Sequence, residues 1–429
     1  MSDRDVASPD WSRGSRAAFR FIFLLTLFFS ATFLLQFVLG NVPLVARLVR
    51  PWLTTRQRVW MPVVRWVEVH VLHVPPAMLA NQLTSFACVA LLAAAGAATW
   101  GYAARQRQHY RTLHEWLRVY LRFSLGILLL SYGLLKLLLN QFDAPPYPTS
   151  LMTPLGELTP AGLLISFTAA SPLYQAFAGA VELAAGVLVL IRRTTTLGAL
   201  LALVATAHVV VLNLAFDFGM VMLAASMLVM AAILVWPALP RLVTVLVSDR
   251  AADAPVRSAL FASSRANRMA GALSIVVLLG ELGYLLNRNF TEGQHSRGRP
   301  PLYGAYETET FVRNGQVVPV GPADEARWIW FTIDPLPSGN RTAADAFATI
   351  AFAGHRERFD LRADTGAKTM VLLPSGNPEG RSRWAYTIPD TTHLVIRSLG
   401  SGPSDSVQVT LRRRDLRSFA LLHSQPWLR

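Results

Sequence analysis

Two charged residues lie within long apolar stretches of the sequence. Glu182 falls ten residues into the apolar run that begins at Pro172, and Lys136 lies near the end of the run 119–139. A charge at the centre of a bilayer costs at least ~2.5–3.5 kcal/mol. The Glu182 carboxyl is therefore interpreted as a proton- or quinone-binding group or, alternatively, as a glutamate that hydrogen-bonds a neighbouring helix. Gly179 and Gly186, on the same helical face, would let that helix approach closely.

Further polar residues lie toward one end of the neighbouring apolar runs. Tyr132 and Lys136 are one helical turn apart, and Gln141 follows them. Asn213 and Asp217 share a face at the end of the run 195–215 and fall at a similar depth. The candidate ligand or proton site therefore consists of Lys136, Glu182, Asn213, Asp217, Tyr132 and Gln141.

Each of these residues also has a structural interpretation. Lys136 is one of only two lysines, and its ammonium group can extend to the membrane interface. Asn213 and Asp217 can serve as a helix cap and a turn residue. Because Lys136 lies nearer the outer edge than Glu182, we expect a polar cavity shared with Asn213 and water rather than a direct ion pair.

The composition excludes several classes of chemistry. The single cysteine, Cys88, excludes an intramolecular disulfide, Cys-rich zinc sites and iron–sulfur ligation by this chain alone. We find no P-loop, dinucleotide or Ser–His–Asp signature and predict no metal site. The net charge of +14 comes mostly from Arg at the ends of apolar runs, which is typical of membrane proteins and not of nucleic-acid binding.

These residues must be positioned by membrane helices. The chain is 52% hydrophobic and only 15% charged, and about 20 apolar residues cross a bilayer as a helix. Seven runs meet this length: Phe19–Leu39, Gln82–Tyr102, Val119–Leu139, Pro172–Ile191, Thr195–Ala215, Phe218–Trp236 and Met269–Asn287. The sequence predicts an integral membrane protein that is embedded in a lipid bilayer.

Arginine placement predicts the orientation. With the N-terminus in the cytoplasm, fifteen Arg lie in inner segments and five in outer ones, and the tail after the seventh span lies outside. In the first outer loop, Trp60–His73 is predicted to lie in the membrane interface. Leu158–Ala170 is too short to cross and is predicted to be an interfacial or re-entrant helix that starts at Thr159-Pro160.

The tail from Asn289 has mixed charges, frequent turn signals and short alternating stretches. The predicted strands are Arg327–Ile333, His355–Leu361, Met370–Leu373, Trp384–Ile388, His393–Ser398 and Ser406–Arg412. The fold class is thus an α-helical integral membrane bundle of about seven helices, followed by a soluble, mainly antiparallel β domain, either barrel or sandwich.

Between Trp116 and Trp236 the sequence resembles the DoxX family of bacterial membrane proteins, in particular its long branch with a C-terminal extracytoplasmic domain. The residues that carry the resemblance are 121–122, 132–136, 141–142, 154–164, 171–174, 179–182, 192–199, Asn213 and Asp217, and in the tail 302–307, 314–315 and 327–328. Gly304 with Tyr306, and later Arg327-Trp328, are also similar to lipocalin-type barrels. The chain departs from the branch at Pro75–Ser85, which lacks a GSGD-like motif, and at Gly219, where a Pro and a Lys are expected nearby.

The resemblance implies a four-helix DoxX-like core and a link to quinone-coupled or oxidative-stress complexes of the bacterial inner membrane. It divides the chain into 1–115 (two helices and the interfacial loop), 116–248 (core), 249–288 (cytoplasmic loop and last helix) and 289–429 (extracytoplasmic β domain). The first hypothesis is a redox-associated or non-catalytic subunit that binds a quinone or other lipophilic small molecule in the bundle, with protein partners that supply electrons. The alternative is a membrane-anchored periplasmic ligand- or partner-binding module without catalysis. A transporter is a third hypothesis, weakened because no duplicated broken helices are evident.

Overall fold

A computed structural model of the chain describes residues 11–34, 58–74, 78–142, 146–252, 263–296, 299–319, 326–335, 345–374, 380–399 and 406–422, together with Arg47 and Pro51. The chain forms two compact units, 1–137 with 177–285 and 138–176 with 286–429. The sequence assigned 138–176 to the helical core, whereas this segment belongs to the unit that contains the tail. Parts of the predicted first outer loop, including Arg50 and Arg56, lie outside the described residues.

Besides the helical segment that begins at residue 58, ten α-helices are described in chain order. They are α1 Arg13–Leu34, α2 Met78–Ala103, α3 Arg111–Leu137, α4 Pro148–Met152, α5 Pro160–Ala170, α6 Pro172–Leu190, α7 Thr195–Ala215, α8 Val221–Val235, α9 Leu239–Leu246 and α10 Ser264–Ser296. The predicted interfacial segment is helical from residue 58 and ends in a π-helical turn, Glu68–Leu72, which exposes Trp66, Val69 and Val71.

Five helices in the described ranges are long and apolar enough to cross a membrane: Ala80–Ala103, Arg111–Leu137, Pro172–Leu190, Thr195–Ala215 and Val221–Leu246. They coincide with predicted spans two to six, and this part of the prediction is confirmed. Helices α1 and α10 occupy the first and seventh predicted spans, and their crossing of the membrane stays a prediction. The short helix before span four is also confirmed, because Thr159 caps α5 by accepting a hydrogen bond from Gly162 N at 3.0 Å.

The first unit is organised around α3, the most buried of the five candidate spans. Leu121, Leu125 and Leu128 follow one helical face and are 2% exposed or less. They belong to the same apolar core as Met230 and Ala231 of α8. A central helix of this kind is closed off from lipid on most sides, which is the environment in which a polar side chain needs a protein partner.

The second unit contains the short helices α4 and α5 and a closed antiparallel barrel. Its strands are β1 Gly304–Arg313, β2 Gln316–Val317, β3 Trp330–Pro335, β4 Asp345–Ala351, β5 Arg356–Asp364, β6 Thr369–Pro374, β7 Ser382–Thr387, β8 His393–Leu399 and β9 Val407–Arg414. The order is β1-β3-β4-β5-β6-β7-β8-β9, β1 also pairs with β9, and β2 forms a hairpin with β1. Asn314 and Gly315 have φ of 53° and 78°, as a tight two-residue hairpin turn requires. The structure thus selects the barrel over the sandwich.

The interior of the barrel is filled by side chains. Phe331, Ile333, Met370, Ile396 and Leu411 are all 0% exposed, so no water-sized space borders them. Alternation along the strands turns the residues between them, such as Thr332 and Asp334, to the outer side. A ligand pocket in the middle of the lumen is therefore excluded by packing at these positions.

Candidate functional site

Lys136 on α3 and Glu182 on α6 form a buried ion pair. Lys136 Nζ donates a hydrogen bond to Glu182 Oε1 at 2.5 Å, and the two side chains are only 11% and 7% exposed. The expected water-filled separation between these groups is therefore wrong. The physical reason is the length of the lysine side chain, whose four methylenes carry the ammonium group inward to the depth of the carboxylate.

Glycines bring the two helices close enough for this contact. A Cβ on Gly179 would lie 2.5 Å from Leu137 N and 2.6 Å from Gly133 O, and a Cβ on Gly133 would lie 2.7 Å from Leu183 N. Backbone approaches of this kind exclude every larger residue. The sequence-based expectation of close helix approach at Gly179 is thus met, and the partner helix is α3.

The ion pair leaves part of the carboxylate unsatisfied. Glu182 Oε2 is buried and has no hydrogen-bond partner within the described part of the chain. A buried charged oxygen without a donor costs free energy, because it has lost its hydration and gained nothing in return. The arrangement can hold or release a proton, or accept a hydrogen bond from a bound hydroxyl or amide.

Asn213 serves the turn between α7 and α8. Its Nδ2 donates to Val209 O at 2.8 Å, and its Oδ1 accepts from Met220 N at 3.0 Å. Gln82 of α2 completes this turn, since its Oε1 accepts from Met222 N at 3.1 Å and its Nε2 donates to Gly219 O. Both ends of the Asn213 amide are engaged locally, as the structural interpretation of this residue required.

Of the remaining predicted site residues, Asp217 and Gln141 have no hydrogen bond to either residue of the buried ion pair in the described part of the chain. Asp217 is exposed and has a φ of 47°, as the turn interpretation expects. Tyr132 is partly buried against the apolar core of the first unit. Gln141 belongs to the second unit, where its Oε1 is buried without a partner among the described residues. Within the described ranges no three His, Cys, Asp or Glu side chains come together as a metal site would need.

A second buried carboxylate escaped the sequence analysis. Asp334 of β3 is 0% exposed on the outer side of the barrel wall, where α4 covers it. It accepts hydrogen bonds from the backbone N–H of Thr149 at 3.3 Å and from the Thr149 hydroxyl, which also lies 2.6 Å from Thr332 Oγ1. Burial raises the pKa of Asp334 to about 7, against the opposing effects of these hydrogen bonds and of Arg358. In the sequence Asp334 stands before Pro335 and resembles an ordinary strand-end residue.

Comparison with known proteins identifies a relative that is similar enough to show the family of this chain. The chain is 33% identical over 128 residues to the uncharacterized protein YwoB of Bacillus subtilis, and the match covers 28% of this chain and 72% of YwoB. The chain therefore belongs to the same family as YwoB. No protein-family model matches the chain, and no solved structure matches it.

Proposed function

We propose that the protein is a DoxX-like subunit of a bacterial inner-membrane redox complex that binds a quinone or a similar lipophilic molecule in its helix bundle at Lys136 and Glu182. A partner protein supplies the electrons, since Cys88 is the sole cysteine and no haem-ligand pattern is present in the sequence. In this proposal the N-terminus is cytoplasmic and the barrel is extracytoplasmic. The proposal draws on the DoxX resemblance for its biological setting and on the ion pair for its site.

The observation that carries the proposal is the half-satisfied Glu182 carboxylate. Oε1 is paired with Lys136, whereas the buried Oε2 has no partner in the described residues. Replacing a buried ion pair by apolar residues is often neutral or stabilising, so stability alone gives little reason to keep such a pair. An ion pair that binds a polar group of a ligand has a functional role, which would explain why it is present.

The two residues offer complementary chemistry to such a ligand. The Lys136 ammonium group carries three donors, of which one is used by Glu182, so it can also donate to a carbonyl oxygen. Glu182 Oε2 can accept a hydrogen bond from a hydroxyl group or take up its proton. Together they can hold a molecule in either its carbonyl or its hydroxyl form.

The alternative function is a membrane-anchored module that assembles with another protein and catalyses nothing. The packed barrel interior favours it over ligand capture in the lumen, because Phe331 and Ile396 leave no space there. In that case Lys136 and Glu182 hold α3 and α6 together and meet no ligand.

A double-mutant cycle separates these functions. Lys136→Met and Glu182→Leu should each destabilise the purified protein, because each leaves one buried charge unpaired. The double variant removes both charges and should recover thermal stability. If Lys136 and Glu182 form a binding site, this stable double variant should no longer retain the small molecule that mass spectrometry finds in the wild-type protein.

The control is Ser131→Ala on the same helix as Lys136. In the described part of the chain, the Ser131 hydroxyl donates its hydrogen bond to the Ile127 carbonyl. This control variant should retain the molecule as the wild type does. A double variant that is stable and still retains the molecule would refute the site, and the assembly function would then be preferred.

A further inference from the structure

A cleft of about 320 Å³ opens at one end of the barrel. It lies between the segment that leads into β1, the connection from β7 to β8 and the end of β9. The β-ladder brings these parts together, since Tyr306 pairs with Arg413 and His393 with Arg412. The cleft is therefore built by the closure of the barrel and does not depend on one loop.

The cleft contains two arginines that, within the described ranges, lack an acidic partner. The neighbouring Arg412 and Arg414 are paired with Glu307 and Glu309 on the outer side of the barrel. Arg413 alternates with them and so falls on the inward row of Val409 and Leu411, with Nη2 donating to Tyr303 O at 3.3 Å. Neither Arg413 nor Arg299, which also lines the cleft, has a carboxylate within ion-pair distance among the described residues.

The acidic groups nearest the cleft are already engaged. His393 lies between Asp390, at 2.8 Å from Nδ1, and Glu309, at 3.2 Å from Nε2. The hydrogen bond that His393 donates to Asp390 raises the pKa of His393, with further contributions from Glu309. Hydrogen bonds from Thr392, followed by the one from His393, lower the pKa of Asp390. The carboxylates are thus neutralised by His393 and Arg412, which leaves a net positive charge at the cleft.

Glycine and tyrosine shape the space around Arg413. Gly304 has a φ of 155°, a conformation that favours glycine. A Cβ there would lie 3.4 Å from Arg413 Nε and 3.6 Å from the Tyr306 ring. The Tyr306 hydroxyl donates to Leu302 O at 2.8 Å, and burial raises the pKa of this phenol to about 12, so it stays neutral beside Arg413. The guanidinium group is therefore the charged feature of this wall.

The remaining walls are apolar. Pro300, Leu302, Leu394 and Ile388 line the cleft, and Ile388 is 56% exposed. An apolar wall beside two guanidinium groups that have no carboxylate partner among the described residues suits a molecule with a compact negative charge and an apolar chain.

We propose that this cleft binds the anionic group of an amphiphile, a phosphate or carboxylate attached to an apolar chain. Arg413 and Arg299 contact the anion, and Ile388, Leu302 and Leu394 contact the start of the chain. The site is independent of Lys136 and Glu182. Its ligand has two potential sources, an anionic lipid of the bilayer or a free amphiphile, and both present the same chemistry.

The test uses the full chain in nanodiscs of pure phosphatidylcholine, titrated by calorimetry with decyl phosphate, decanol or inorganic phosphate, with empty nanodiscs subtracted. Decyl phosphate should bind saturably and more tightly than either decanol or inorganic phosphate. Arg413→Met and Arg299→Met should each weaken it by about tenfold or more, the range expected for losing a charge-assisted hydrogen bond. Arg414→Met, the adjacent residue paired with Glu307, should bind as the wild type does.

Two arms identify the source of the ligand. Competition by phosphatidylglycerol in the nanodisc indicates a bilayer lipid, and its absence indicates a free amphiphile; both outcomes support the site. Equal binding of decanol, equal binding of inorganic phosphate, no saturable binding, or an equal loss in Arg414→Met would overturn it. If Arg413→Met lowers the yield of folded protein, the test relies on Arg299→Met, because Arg299 is exposed and lies outside the β-ladder.

Discussion

Thr149 donates both its backbone N–H and its hydroxyl hydrogen to the Asp334 carboxylate, 185 residues further along the chain. The contact holds α4 against the outer wall of the barrel. Tyr147 adds an edge-to-face contact with Phe347, at 6.3 Å between ring centroids, and Glu157 adds an ion pair with Arg356 at 2.9 Å. The segment before α5 is thus part of the barrel unit, although in the sequence it lies between two candidate membrane helices, α3 and α6.

Asp334 should make the stability of the barrel depend on pH. Its folded pKa of about 7 lies above the ordinary value of 3.8, so the folded state keeps a proton that the unfolded state has released. The contribution of Asp334 to stability is therefore largest below about pH 4, falls by up to about 1.4 kcal/mol per pH unit between about pH 4 and 7, and is constant above that window. Thermal unfolding of the detergent-solubilised chain, followed by near-ultraviolet circular dichroism, measures it.

The matched variant is Asp334→Asn, which keeps the shape of the side chain and removes its titration. Exposed groups such as Asp390 and His393 titrate equally in both proteins, so the difference between the two curves isolates Asp334. Curves that run parallel from pH 4 to 7 would contradict the raised pKa.

Gly179→Ala should destabilise the helical unit. The added methyl meets the backbone of α3 at Leu137 and Gly133, which cannot move aside as a flexible side chain would. Overpacking of this kind costs about 1–3 kcal/mol. Gly280→Ala is the control, because a Cβ there meets nothing within 4 Å. Thermal stability should fall in the first variant only, because Ala has a higher helix propensity than Gly and the control gains from that difference. An equal fall in both variants, or no fall in Gly179→Ala, would show that the close packing at Gly179 is not the cause.

Asn213→Ala and Gln82→Ala should loosen the turn between α7 and α8. Each change leaves turn N–H or C=O groups without the partners that Asn213 or Gln82 now supplies, at about 1–3 kcal/mol. Hydrogen exchange at Met220 and Met222 should rise, while the small molecule retained at Lys136 and Glu182 should stay bound. A folded Asn213→Ala protein that has lost the molecule would return Asn213 to the site.

The short helix α5 should not cross the membrane, because its 11 residues cover only about 17 Å. Cysteines placed at Leu155 and Ala170 in a Cys88→Ala background should both react with an impermeant thiol reagent in intact spheroplasts. Protease added to the same spheroplasts should remove the barrel. Labelling of the two positions from opposite sides would reverse the orientation of everything downstream.

The sequence predicts most of the helices because hydropathy and length alone define them. Thr195–Ala215 begins and ends at the predicted residues, and α5 begins at its predicted Thr159-Pro160 signal. The sequence pattern predicts six of the nine strands, whereas it does not assign β1, β2 and β4. Strand β4 contains three alanines, Ala346, Ala348 and Ala351, a residue type depleted in strands, which weakens the strand signal of Phe347 and Ile350.

The site was predictable only in part. The charges within apolar runs identify Lys136 and Glu182 as candidates. Their positions along the two helices suggest that the two groups lie at different depths, because residue spacing does not show how far a lysine side chain extends. Asp334 and Arg413 became significant through contacts between distant segments, with Thr149 and with Tyr303 and Gly304. Such long-range partners leave no local pattern in the sequence.

The pairing of β1 with β9 has a consequence for the order of events during synthesis. The barrel closes only when β9 has been synthesised, more than ninety residues after the end of β1. The edge of β1 that pairs with β9 therefore stays unpaired while the seven strands between them are synthesised. An exposed strand edge is prone to pair with another chain. The separation is larger still for Thr149, because three of the five candidate membrane helices are synthesised between it and its acceptor, Asp334. The helical unit should therefore reach its folded form first, and the nascent barrel should be the part that depends on chaperones.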